Sequence, residues 1–65
     1  MPMFEVSYQL GNRGESGHGA FIGENANWYK MTVDTFSLTQ AQRQVESMMG
    51  GPQRCLVGAT FQVSK

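Results

Sequence analysis

The segment Ser37–Pro52, SLTQAQRQVESMMGGP, carries a start signal, an apolar stripe and a stop signal for one helix. The Ser37 hydroxyl can accept a hydrogen bond from a first-turn amide, and Gln40, three positions on, can bond back to the serine; together they form a capping box. Phe36 before the cap and Ala41 within the helix would supply the accompanying hydrophobic staple. Leu38, Ala41, Val45, Met48 and Met49 recur at helical spacing and give one apolar face. Gly50 tolerates a left-handed C-terminal turn, and Pro52 blocks continuation. The spacing predicts a helix over residues 38–49.

On either side of this helix the period changes from 3.6 to two. Residues 28–34 set Tyr29, Met31 and Val33 on one face and Trp28, Lys30, Thr32 and Asp34 on the other. Residues 3–10 set Phe4, Val6, Tyr8 and Leu10 against Met3, Glu5, Ser7 and Gln9. Residues 54–63 set Cys55, Val57, Ala59, Phe61 and Val63 against Leu56, Gly58, Thr60 and Gln62. Alternation rich in β-branched and aromatic residues marks half-buried strands. Residues 11–19, GNRGESGHG, hold four glycines and nothing that builds a core, which predicts a flexible loop. Residues 20–22 are an apolar island closed by Gly23. A short extra strand and a cover tucked onto the core both fit it.

The order β-β-α-β predicts an α+β fold in a single domain, residues 1–65. The most economical sheet is three-stranded and antiparallel about the first strand, in order 2-1-3, with the helix on one face. The strand–helix–strand return is a right-handed crossover. The helix stripe would then meet Phe4, Val6, Tyr8, Tyr29, Met31, Val33, Val57, Ala59 and Phe61. Strand patterns run from residue 3 to about residue 63, so the sequence reads as a complete small gene product.

Composition excludes several classes of function. The chain has 65 residues, five basic and five acidic side chains, one histidine and one cysteine. Cys55 alone cannot form an intramolecular disulfide, which suits a reducing cytoplasm. Cys55 and His18 together fall short of the three or four protein ligands that zinc needs, and no cofactor is expected. Arg13, Lys30, Arg43, Arg54 and Lys65 are scattered, whereas nucleic-acid binding draws on grouped basic residues. No apolar run is long enough to span a bilayer, and the N-terminus lacks the pattern of a signal peptide. Gly17-x-Gly19-x-x-x-Gly23 leads into an extended segment rather than a helix, so it is no phosphate loop. His18 lies between glycines and has nothing to hold it as a general base; Cys55 faces inward as a small apolar residue. No catalytic set is present, and an enzyme is not expected.

A single helix covers one face of a sheet, so the other face is expected to be open. In the antiparallel register Trp28 and Leu56 lie on either side of Gln9, roughly 10 Å apart for a strand spacing of ~4.8 Å. Tryptophan and leucine on an otherwise polar face make a candidate contact surface, with the glycine loop at its rim. The competing placement folds Trp28 under the Phe21–Ile22 island. Three functions fit: a protein-binding module centred on Trp28, Leu56 and Gln9; a single-stranded nucleic-acid binder using Trp28 and Lys30 with help from Arg13 and Arg54; and a subunit that associates with itself through the open face or the last strand, which lies at a sheet edge. In size and layout, over the whole chain and with no shared motif, the sequence resembles the small inhibitors encoded by phages and mobile elements, among them anti-CRISPR proteins and inhibitors of host polymerases. The resemblance implies a partner that is a nucleic-acid-handling enzyme or defence complex, occluded in the host-cell cytoplasm.

Overall fold

A computed structural model of the protein describes residues 2–14 and 20–65. The expectations for His18 and for the Gly17–Gly19 spacing lie outside the described residues. The elements are β1 (Met3–Arg13), β2 (Phe21–Gly23), β3 (Tyr29–Asp34), α1 (Leu38–Met48) and β4 (Cys55–Ser64). The fold is α+β, and β1 is the spine of a four-stranded antiparallel sheet, pairing with β2, β3 and β4.

The island at residues 20–22 is resolved in favour of a strand. β2 pairs with Gly11–Arg13, which prolong β1 beyond the end expected at Leu10. The Leu10 carbonyl accepts from the Glu24 amide, whereas the Gly11 and Arg13 amides donate to the Arg54 and Gln53 carbonyls. β2 therefore lies on the β3 edge of β1, and the chain around β4 lies on the other. Gly11 corrects the reading of residues 11–19 as one loop. It is buried, and a methyl group there would collide with the Ile22 carbonyl and the Gly23 Cα. The missing side chain lets β2 cross closely.

The core is Phe4, Val6, Val33, Ala41 and Val45, flanked by partly buried Tyr8, Met31, Met49 and Val57. The β1 and α1 stripes meet through Phe4, Val6, Ala41 and Val45, but Leu38 and Met48 of the helix stripe are 42% and 56% exposed, and three strand residues assigned to this core also lie outside it. Tyr29 is 39% exposed and rests its ring near that of Tyr8 at 5.7 Å. Ala59 is exposed, and Phe61 is 49% exposed. The cause for the last two is a β-bulge. Val6 pairs with Thr60 but Tyr8 pairs with Val57, so Gly58 and Ala59 together stand opposite Ser7. One extra residue exchanges the two faces from Thr60 to Gln62, and a second register shift at Val63 restores the original parity at Ser64, opposite Met3. Thr60 then turns to the helix, accepting from Gln42 Nε2 at 3.1 Å, and Phe61, opposite Glu5, turns away.

Helix α1 begins as its sequence signals. Ser37 Oγ accepts from the Gln40 amide at 3.2 Å. The return half of the capping box is absent, because Gln40 Oε1 instead accepts from the hydroxyl of buried Thr35 at 3.4 Å. No staple forms either, since Phe36 is 74% exposed. At the far end the Gly51 amide donates to the Glu46 carbonyl and the Gly50 amide to that of Ser47, the paired bonds of a Schellman motif. Gly50 has φ +107° and Gly51 φ +85°. A Cβ at Gly50 would also press on Arg54 at 3.0 Å. Gly50→Ala is expected to cost about 1–2 kcal/mol, seen as a lower urea midpoint at unchanged slope.

Candidate binding surface

The face of the sheet away from α1 carries Glu5, Ser7 and Gln9 from β1, Lys30 and Thr32 from β3, and Leu56 and Phe61 from β4. Trp28 immediately precedes β3 and reaches across this face. Its six-membered ring lies directly over Gly58, where a Cβ would come within 2.7 Å of Cζ3 and 3.1 Å of Cη2. The ring is nevertheless half exposed. Any side chain at position 58 would lift it, so Gly58 is the seat on which one broad side of the indole rests.

The turn that delivers Trp28 is tied down at several points. Gln9 Nε2 donates to the Asn25 carbonyl at 3.1 Å, and the Asn27 amide donates to Asn25 Oδ1 at 2.8 Å. The Glu24 amide is held by the Leu10 carbonyl at 2.9 Å. Hence Gln9, expected as a contact residue, holds the tryptophan turn. It also stands opposite Leu56 in the ladder, as the antiparallel register requires. Phe21 covers a different neighbour: the Arg13 guanidinium carbon lies 5.6 Å from its ring centroid, and Arg13 Nε donates to the Pro52 carbonyl. Ile22 is 73% exposed. The β2 island therefore does not bury Trp28.

The remaining expected contact residues divide. Lys30 is on the open face but lies 3.9 Å from Glu5, an exposed pairing that contributes little to stability and offsets its charge. Arg54 is not on that face. Its amide donates to the Gly51 carbonyl, and its side-chain stem packs against Gly50 at the end of α1. The surface gains a member that alternation had assigned to the core, Phe61. The signal that could have placed it is Gly58, since a glycine inside a strand pattern marks a bulge or a close approach.

Cys55 is fully buried at the start of β4, opposite Leu10. Burial pushes its thiol above the ordinary range, and the Glu46 carboxylate adds to the rise. A thiol held protonated in this way is a poor nucleophile at neutral pH. Among the described residues no group of three or more His, Cys, Asp or Glu side chains is placed to hold a metal ion, and no helix is long and apolar enough to cross a membrane.

Comparison with protein-family models, curated proteins and solved structures found no match.

Proposed function

We propose that the protein is a non-catalytic binding module whose open sheet face docks on another protein. The observation that carries this reading is the seated, half-exposed Trp28 ring, held by Gly58 beneath it and by the Gln9–Asn25 bond beside it. A rigid aromatic loses little conformational freedom on binding, which is why such residues dominate protein contacts. Leu56 and Phe61 extend the apolar surface along β4, and the Glu5–Lys30 pair edges it without a net charge. The size and layout shared with small phage-type inhibitors favour occlusion of a nucleic-acid-handling enzyme or defence complex as the outcome of docking.

Capture from the lysate of the native host, with wild-type and Trp28→Ala proteins compared, tests the reading. One stoichiometric protein retained by the wild type, resistant to salt and lost in the variant, is expected. Retention that is equal in the variant, with its fold intact by circular dichroism, overturns the surface. Retention of nucleic acid alone, removed by salt, overturns the partner class, since phosphate-driven binding weakens steeply with salt.

A further inference from the structure

A cleft of about 300 Å³ opens between α1 and β4, and the Trp28 surface does not account for it. Arg13 lines it from the end of β1, Thr39, Gln42, Arg43 and Glu46 from the helix, and Leu56 from β4. The four helix residues are spaced by three and four positions, so they form one patch on the helix surface. Arg13 and Arg43 are far apart in the chain, and the fold brings both to this one opening.

Arg13 is already oriented. Its Nε donates to the Pro52 carbonyl at 3.0 Å, and its guanidinium carbon lies 5.6 Å from the centroid of the Phe21 ring. Among the described residues neither arginine meets a carboxylate within salt-bridge distance. Gln42 is fixed by its bond to Thr60 Oγ1, and the exposed Thr39 hydroxyl is a further donor beside it. An arginine fork matches the two oxygens of an oxyanion, and a fork held in place beforehand loses little freedom when it binds one.

The balance of charge narrows the ligand. Two guanidinium groups against the single Glu46 carboxylate leave an excess of one positive charge in the cleft. One carboxylate matches that excess. A nucleic-acid strand brings a phosphate with every nucleotide and would set a second one against Glu46. Leu56 belongs both to the cleft and to the open face, so the cleft continues the docking surface around β4. From the two converging arginines, the lone opposing carboxylate and this continuity, we propose that the cleft takes an aspartate or glutamate side chain of the protein that docks on the open face. An apolar neighbour of that residue rests on Leu56. The bearer of the carboxylate is taken from the docking reading, whereas the cleft itself can be tested without a partner.

The isotopically labelled full chain is titrated with the blocked tripeptide acetyl-Leu-Glu-Leu-amide at millimolar concentration, with backbone amide and arginine Nε–H signals followed by NMR. Saturable shifts at Arg13, Arg43 and Leu56 are expected, and none for acetyl-Leu-Gln-Leu-amide. Arg43 is exposed, so Arg43→Gln should keep the circular dichroism of the wild type and weaken peptide binding at least about threefold, the scale of a partly exposed charge pair. Glu46→Gln removes the opposing carboxylate and should tighten binding. Trp28→Ala should leave peptide binding unchanged, so failure of the cleft and failure of the docking face are read separately. Absence of saturable shifts, equal shifts from the two peptides, or a folded Arg43→Gln that binds as the wild type does would each overturn the site. An oligonucleotide that binds the cleft more tightly than the peptide would overturn the carboxylate in favour of phosphate. A partner captured equally by wild type and Arg43→Gln would overturn its assignment as the bearer.

Discussion

Phe4→Ala is expected to leave the chain largely unfolded at room temperature, whereas Phe61→Ala leaves it folded. Both phenylalanines occupy apolar positions of strands with regular alternation, and the sequence gives no reason to rank one above the other. Phe4 is 5% exposed in the buried cluster that it forms with Val6, Val33, Ala41 and Val45, while Phe61 is 49% exposed on the opposite face. Truncating a buried phenylalanine costs about 3–5 kcal/mol. A single core in a domain this small rarely supplies more than about 3–5 kcal/mol in total. Phe61→Ala should stay within about 1 kcal/mol, as surface changes do. Urea titrations followed by far-ultraviolet circular dichroism measure both. Comparable losses for the two variants would mean that β4 has no bulge and that Phe61 is buried as its alternation suggests.

Gly58→Val is the second change expected to have a large effect. A Cβ at position 58 would overlap the Trp28 ring, and Val adds two methyl groups beyond it. The indole is at the surface and can swing away, so the stability loss should fall near the lower end of the roughly 1–3 kcal/mol typical of overpacking. The effect on binding should be far larger, because the anchor is displaced without being removed. We expect partner binding to weaken by at least about tenfold, equivalent to ~1.4 kcal/mol. Trp28 is the only tryptophan in the chain, so its fluorescence reports the seat directly. A red-shifted emission maximum with the fold intact is the expected signature. An unchanged maximum would mean that the ring does not rest on Gly58.

These two comparisons also show where the sequence was legible. The alternation of β1 and β3 could be read because each strand keeps strict period two through its pairing, and the helix start could be read because Ser37 needs only a neighbour three residues on. The central place of β1 followed from chain economy. What could not be read depended on distant partners. The β4 alternation is faultless on paper, yet the bulge against Ser7 reassigns Thr60, Phe61 and Gln62, and a second shift at Val63 follows. Gln40 satisfies the capping pattern, but the Thr35 hydroxyl engages its carbonyl. Gly11 and Gly58 both look like weak points in isolation and are points of closest approach in the fold, one to β2 and one to Trp28. Of the residues of the proposed contact surface, Gln9 and Leu56 stand opposite one another as the register implied, Trp28 rests on Gly58, Arg54 lies at the helix end, and Phe61 lies outside the core to which its alternation assigned it.

The dependence of every strand on β1 has a consequence for how the protein is made. Met3 pairs with Ser64, so the longest ladder joins the earliest strand to the latest, and β4 contributes Cys55 and Val57 to the packed interior. Pairings of such large sequence separation form slowly, because the intervening chain must first be closed into a loop. A chain still attached to the ribosome cannot complete its sheet until β4 has emerged. Until then β1 has one edge of unpaired backbone amides and carbonyls, and the time spent in that state is when the nascent protein is most exposed to aggregation or to proteolysis.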